Sequence, residues 1–308
     1  MERRHFLQSL AGGAVLPSLA LTTQKEKYLP VSCNQYSWIT FYKREGRDWL
    51  DDLDQNLAAL AETGITAYEP AFTDAGEVVK LLPLLKKYQL TMPSVYVNSV
   101  LHKSEEAEKS IQGVIAIAKA LKPADTKIIV TNPSPLGWGS PLNKSDSELI
   151  EQAKNMDRLG AALKAYGMTL AYHTHDVELR VAAREFHHML QATRPENVSL
   201  CLDVHWVYRG SGDSQVALFD IIKMYGKRIV ELHIRQSKNG IWQEAFGDGD
   251  IDYTRLVKML TDIKVRPHLV LEQCLEKQSP KTMDAIAAHK ADLAAVNKIF
   301  GSWVKANN

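Results

Sequence analysis

Histidine and carboxylate side chains follow four apolar, strand-like runs in the second half of the chain. The runs end in the segments YHTHD, LDVHW, ELHIR and LVLEQ. A buried parallel strand is apolar almost to its end, so polar residues at the same point of four successive strands predict a functional site. The residues that these segments present are His173, His175, Asp203, His205, His233 and Glu272.

The spacing and the residue types predict a metal site. His173 and His175 are two residues apart and therefore share one face of a strand, as do Asp203 and His205. Imidazole nitrogens together with carboxylate oxygens suit a divalent ion such as Mn²⁺, Co²⁺, Zn²⁺ or Mg²⁺. We therefore expect one such ion near these residues.

Eight strand-like runs alternate with helical patterns, which predicts parallel strands joined by helical crossovers. Eight such units over residues 28–305 fit a single (β/α)₈ TIM barrel domain of the α/β class, in which the carboxyl ends of the strands meet at one rim. No GxGxxG follows the first run, which argues against an open dinucleotide-binding sheet. The predicted strands are residues 31–36, 65–69, 91–97, 127–130, 169–173, 198–203, 229–234 and 268–272.

The composition argues against several classes of protein. Lys plus Arg number 37 and Asp plus Glu number 36, so the chain lacks the basic surplus of a typical nucleic-acid binder. No run approaches the roughly 18–20 apolar residues of a membrane-spanning helix. Three dispersed cysteines, Cys33, Cys201 and Cys274, predict small buried side chains rather than a disulfide framework. The oligomeric state, a homo-oligomer included, stays open.

Residues 1–24 have a different pattern from the rest of the chain. The segment RRHFLQ precedes a small and apolar stretch, and the order resembles a twin-arginine export signal. We therefore expect export to the periplasm and exclude these residues from the barrel. The alternative is an amphipathic N-terminal segment without a targeting role.

The motifs YHTHDVEL, LDVHW, ELHIRQ with GDGDIDY, and LVLEQ resemble the xylose isomerase-like barrel superfamily over residues 30–300. That superfamily includes sugar isomerases and epimerases, inosose dehydratases, dehydroshikimate dehydratases and the endonuclease IV group. The match is best with its exported branch known as sugar phosphate isomerases/epimerases. The resemblance implies one metal ion held by Asp203, His233 and Glu272. The fourth position falls on His173 where the sugar epimerases have Glu, and Glu178 is the reserve ligand.

The departure at His173 bears on the reaction. In the epimerases the missing Glu is also one of two opposed bases, so the resemblance favours branches with His there, which include inosose dehydratases and lyases of 3-keto-glycosides. A divalent ion stabilises the enediolate that forms when the α-proton of a keto-sugar leaves. His175 and His205, expected to titrate near neutral pH, are the candidate base and acid. Isomerisation, epimerisation and β-elimination all remain open.

Four further residues are candidates for contact with a carbohydrate substrate. They are Glu69, Trp38, Trp206 and Arg235. Two other functions compete with a sugar enzyme. One is an exported sugar-binding module without catalysis. The other is a DNA repair enzyme of the endonuclease IV kind, which the resemblance would require to have more ligands and a basic DNA-facing surface.

Overall fold

Eight short parallel strands form a barrel in the computed structural model, which describes residues 30–304. The first strand pairs with the second and the eighth, and strands three to eight each pair with their neighbour in sequence. Between the second and third strands the isolated bridges Ala67–Thr91 and Ala71–Tyr96 nearly close the ring. The strands are Ser32–Asn34, Ala67–Glu69, Ser94–Tyr96, Ile128–Thr131, Thr169–Tyr172, Val198–Asp203, Ile229–Ile234 and His268–Leu271.

Helices surround the barrel and cover its outer face. Their buried side chains recur at helical spacing, as Val78, Leu81 and Leu85 do in the third helix. None of the helices in the described residues is long and apolar enough to cross a membrane. The α-helices, α1 to α10 in order, are Gln35–Arg44, Leu53–Glu62, Ala75–Lys87, Ser104–Ala120, Asp146–Leu163, Arg180–Ala192, Val204–Gly210, Gln215–Tyr225, Tyr253–Asp262 and Ala285–Ile299.

Shorter elements complete the rim. A two-stranded antiparallel hairpin, Ser237–Lys238 with Ile241–Trp242, follows the seventh strand. Single 3₁₀ turns occupy Lys122–Ala124, Lys164–Tyr166, Val177–Leu179 and Gly226–Arg228.

The predicted (β/α)₈ barrel and all eight predicted strands are confirmed. The first strand is shorter than predicted, because Asn34 caps α1 by accepting the backbone N–H of Tyr36 at 2.7 Å and the helix begins at Gln35. Cys33, Cys201 and Cys274 are free and buried, as predicted. The predicted export signal, residues 1–24, lies outside the described residues.

Candidate active site

Four buried side chains converge at the carboxyl ends of the last four strands. His173, Asp203, His233 and Glu272 each offer one ligand atom within 4.8 Å of the others. His173 Nε2 lies 3.4 Å from Asp203 Oδ2, and His233 Nδ1 lies 3.3 Å from Glu272 Oε2. Two imidazoles and two carboxylates buried together suit a divalent cation, since buried carboxylates require a compensating positive charge. We call these four residues the ligand group.

Neighbouring side chains orient the two imidazoles of the ligand group. The hydroxyl of Tyr96 lies 3.3 Å from His173 Nδ1, while His173 Nε2 has no hydrogen-bond partner among the described residues. His233 Nε2 lies 3.1 Å from Glu69 Oε2 and 3.2 Å from Glu231 Oε1. Nε2 therefore faces two carboxyl groups and is the nitrogen suited to keep its proton, whereas Nδ1 faces Glu272 of the ligand group.

Glu69 lies beneath the ligand group, fully buried, rather than on the wall of a cavity. Its carboxylate accepts hydrogen bonds from Asn34 Nδ2 at 2.6 Å and from Ser94 Oγ at 3.1 Å. Glu69 was predicted to contact a carbohydrate substrate, whereas its place beneath the ligand group makes it a support of His233. Glu231, the second support, was not predicted, although ELH shows that it shares a strand face with His233.

Arg235 ties the two carboxylates of the ligand group together. Its Nη2 donates to Glu272 Oε2 at 2.6 Å and lies 3.4 Å from Asp203 Oδ2. The guanidinium carbon is 4.2 Å from the ring centre of Trp242 and 5.4 Å from that of Trp206, so both indoles pack on the cation. Arg235 was predicted to contact substrate, and it lines the cavity described below.

The two carboxylates of the ligand group differ in acidity. Burial raises the pKa of Asp203 to about 7, against the opposing effect of the Arg235 guanidinium. Burial acts in the same direction on Glu272, but Arg235 and His233 outweigh it and hold the pKa of Glu272 well below its ordinary value. Glu272 is therefore ionised at neutral pH, whereas Asp203 takes up a proton much more readily than Glu272 does.

A cavity of about 460 Å³ opens above the ligand group. Four residues of its lining were predicted from the sequence: His175, Trp206, Arg235 and Glu272. The other lining residues were not predicted. Several of them lie in loops or in α1, and Asn34 and Tyr96 end strands that carry no histidine or carboxylate. The full lining is Asn34, Gln35, Tyr36, Ile39, Ala71, Tyr96, Asn98, Trp138, His175, Asp176, Trp206, Arg235 and Glu272.

The two histidines predicted as base and acid differ in position. His175 faces the cavity, whereas His205 lies outside the cavity lining and donates from Nε2 to Ser237 Oγ at 2.9 Å. Ser237 in turn donates to Asp250 Oδ2 at 2.7 Å. Burial lowers the pKa of both histidines to about 3. The expectation that they titrate near neutral pH is therefore wrong, and both imidazoles are neutral.

Glu178, the reserve ligand, lies outside the ligand group. It accepts hydrogen bonds from Asn132 Nδ2 at 3.0 Å and from the backbone N–H of His175 at 2.7 Å. Burial raises its pKa to about 7. The structure therefore brings His173, and not Glu178, together with Asp203, and Glu178 instead shapes the turn that carries His175.

Trp38 was predicted to contact a carbohydrate substrate, and this prediction is wrong. Its indole is fully buried, stacked on His289 with ring centres 4.5 Å apart and 5.0 Å from the ring centre of Trp49. The cause is the early end of the first strand. Because α1 starts at Gln35, the helical turn carries Trp38 away from the rim and into the core between α1 and α10.

Residues 57–294 match the sequence profile described as xylose isomerase-like TIM barrel. The chain belongs to this family. An inosose dehydratase of Mesomycoplasma hyopneumoniae strain J is 25% identical over 278 residues, which cover 81% of this chain and 89% of the relative.

Solved structures share this xylose isomerase-like fold. An L-ribulose 3-epimerase superposes with a TM-score of 0.66 at 16% identity and covers 91% of this chain and 99% of its own. A 3-keto-D-glucoside 4-epimerase from E. coli superposes with a TM-score of 0.63 at 13% identity, over 88% of this chain and 98% of its own. At these identities the likeness concerns the fold, and the chemistry must be argued from the residues.

Proposed function

We propose that this xylose isomerase-like barrel is a divalent-metal-dependent carbon–oxygen lyase that acts on a keto-sugar or a related cyclitol. The ligand group beneath a cavity of about 460 Å³ is the observation that carries the proposal. The inosose dehydratase relative supports elimination as the reaction class. Isomerisation or epimerisation at the same carbon is the second candidate, supported by the fold shared with sugar epimerases.

His173, Asp203, His233 and Glu272 are the residues that would hold the ion. When bound there, a divalent ion supplies positive charge to the ketone and the adjacent hydroxyl and so stabilises the enediolate. Arg235 adds a second positive charge at the same place, since its guanidinium contacts two of the ligands and lines the cavity. Both features make the α-proton of a ketone more acidic.

His175 is the base in this proposal. Its imidazole is neutral and lines the cavity beside the ligand group, with its ring centre 5.0 Å from that of His173. In the elimination His175 takes the α-proton, the bond from the β-carbon to its oxygen substituent breaks, and the protonated imidazole returns the proton to the departing oxygen. The step is balanced without a second acid or an oxidant.

The composition of the cavity favours elimination over epimerisation. Epimerisation requires protonation from the opposite face of the substrate, and the first strand lies opposite the fifth in an eight-stranded barrel. The residues of the cavity lining from that side, Asn34, Gln35 and Tyr36, are neither carboxylates nor imidazoles. Glu272 also lines the cavity, but its pKa is held well below its ordinary value, so it carries no proton to donate there. The position at which the epimerases have a Glu that is both ligand and base is occupied here by His173, which offers no carboxylate.

The test is turnover followed by mass spectrometry in buffer made with deuterium oxide. The protein loaded with Mn²⁺, Co²⁺, Zn²⁺ or Mg²⁺ is incubated with inosose, 3-keto-glucosides and free ketoses, with and without EDTA. Loss of water or of an aglycone that EDTA abolishes supports the lyase. A product of equal chemical formula that carries one deuterium on carbon supports the isomerase or epimerase instead.

Variants separate the roles in this reaction. His175→Asn is expected to lower kcat by a factor of about 10²–10⁴ while the affinity for the metal ion stays unchanged. His173→Asn is expected to weaken metal binding itself. Exposed Glu105→Gln is the matched control for both. Metal binding without turnover of any sugar would favour a sugar-binding module over an enzyme.

Residues 1–24 carry a second, separate proposal, that they direct the folded protein to the periplasm by the twin-arginine route. The support is the order of RRHFLQ and the small apolar stretch after it. Changing Arg3 and Arg4 together to Lys is expected to keep the protein in the cytoplasm of a bacterial host. Equal periplasmic amounts of both forms in cell fractionation would refute the proposal.

A further inference from the structure

The Trp138 indole is 62% exposed, yet it lines the cavity. Its ring centre lies 4.9 Å from that of His175 in an edge-on contact. The ring centre of Trp206 lies 5.4 Å from that of His175. The proposed base therefore contacts two indoles, and Trp138 leaves most of its surface open to solvent.

The loop that carries Trp138 is fixed to the body of the protein. Lys144, almost fully buried, donates from Nζ to the carbonyl of Pro133 at 3.1 Å and to Glu185 Oε1 at 2.7 Å. Arg180 donates to the carbonyl of Ser140 at 2.8 Å. These bonds hold residues 133–145 against α6, so the indole is preorganised at its exposed position.

Tyr36 is the second exposed aromatic residue in the lining, with 55% of its surface open. It lies in the first turn of α1, on the opposite side of the barrel from His175. Both side chains therefore leave a large apolar surface in contact with water in the free protein, which is unfavourable. Such a surface recovers burial when a ring of the ligand covers it.

We propose that Trp138 and Tyr36 form a subsite for the leaving group, and that this leaving group is a ring-bearing alcohol rather than water. The inference rests on the proposed lyase function and narrows its substrate class to glycosides of keto-sugars. The keto-sugar ring lies over the ligand group, and His175, between Trp138 and Trp206, reaches the bond that joins the two rings. Dehydration of a cyclitol releases only water, which has no ring to cover the exposed indole of Trp138.

The elimination of the aglycone uses His175 both to take up and to return one proton. The α-proton passes to His175, the bond from the anomeric carbon to the aglycone oxygen breaks, and the aglycone leaves as a phenol or alcohol after taking that proton back. The sugar is left with a carbon–carbon double bond next to its ketone. No oxidant or reductant is consumed.

The experiment compares phenyl and methyl 3-keto-β-glucosides as substrates of the metal-loaded protein. The wild-type protein is expected to favour the phenyl substrate in kcat/KM after correction for the acidity of the phenol. Trp138→Ala is expected to lower kcat/KM roughly tenfold for the phenyl substrate, mainly through KM, and to leave the methyl substrate nearly unchanged. Trp138→Phe is expected to restore most of the loss.

Ile150→Ala, at a 61% exposed position of α5, is the matched control and is expected to behave as wild type. Equal losses for both substrates in Trp138→Ala would overturn the subsite, as would unchanged kinetics for both. If no keto-sugar reacts, the lyase proposal fails by itself. The subsite is then decided by phenyl β-glucoside binding, measured by indole fluorescence, which must weaken in Trp138→Ala.

Discussion

At the scale of single residues, His233 is the most constrained group of the site. One nitrogen of its ring faces two carboxylates beneath it, and the other faces Glu272. Although burial disfavours the charged ring, nearby Cys201 and the carboxylates Glu69 and Glu272 raise the pKa of His233 well above its ordinary value. A metal ion must therefore displace a proton from this ring in order to bind.

The affinity for the metal ion is expected to depend on pH. Protonated His233 and protonated Asp203, whose pKa is raised to about 7, both compete with the ion, so the affinity falls as the pH falls from 8 to 6. The fall is up to about tenfold per pH unit for each proton displaced. Calorimetric titration with Zn²⁺ or Mn²⁺ in buffers of different ionisation enthalpy counts those protons. An affinity that stays constant over this range would contradict the assignment.

Glu231 holds His233 by its Nε2 proton, so the change Glu231→Gln tests a support rather than a ligand. We expect the affinity for the metal ion to fall about tenfold to a hundredfold, as is usual when the partner of a ligating histidine is lost. Exposed Glu105→Gln is the control for general charge effects. Unchanged affinity in Glu231→Gln would mean that Glu69 alone fixes the ring.

At the scale of elements, the hairpin after the seventh strand packs against Arg235, which in turn contacts the two carboxylates of the ligand group. It carries Trp242, which packs on Arg235, and Ser237, which accepts from His205. The turn GDGD closes against this hairpin, where Asp250 accepts the backbone N–H groups of Asn239 and Gly240. The position of Arg235 therefore depends on close packing of the turn.

The two glycines of that turn give a matched pair of variants. A Cβ at Gly249 would lie 2.1 Å from the carbonyl oxygen of Ser237, whereas a Cβ at Gly247 would meet no heavy atom within 4 Å in the described structure. We expect Gly249→Ala to displace the hairpin and to reduce turnover, and Gly247→Ala to be neutral. Kinetics and thermal unfolding of both variants check this. Equal behaviour of the two would show that the hairpin tolerates displacement.

Elements also explain which parts of the site the sequence could predict. The ligand group was found because it ends regular parallel strands, where alternation fixes the direction of each side chain. Trp38 was misplaced because the strand stops at Asn34 and helical geometry begins. Trp138 was not predicted because residues 133–145 form a loop without the regular alternation of a strand or a helix. Its position follows instead from the contacts of Lys144 and Arg180.

At the scale of the whole molecule, the barrel collects the site from residues that are far apart in the chain. Glu69 ends the second strand and Glu272 follows the eighth, and both approach His233 because the first strand pairs with the second and the eighth. The pairing of the first strand with the last one brings them together. Burial of these charged groups therefore depends on the folded barrel. Unfolding returns them to water and restores their hydration.

A bound ion is expected to stabilise the fold for the same reason. The unfolded chain lacks the ligand group, so a metal ion at a hundred times its dissociation constant adds about 2.7 kcal/mol to the free energy of unfolding. For a domain of this size that corresponds to roughly 5–10 °C in Tm. Differential scanning calorimetry with Mn²⁺, Co²⁺, Zn²⁺ and Mg²⁺, each followed by EDTA, measures the shift.

Variants test whether the shift in Tm comes from an ion bound to the ligand group. Glu272→Gln and His173→Asn are expected to keep a cooperative transition and to lose the shift, because each removes one ligand and leaves the barrel strands intact. Glu105→Gln is expected to retain the full shift. A shift that persists in both ligand variants would place the ion elsewhere on the protein, and the absence of any shift with all four ions would overturn the metal site, because binding to the folded state alone must raise Tm.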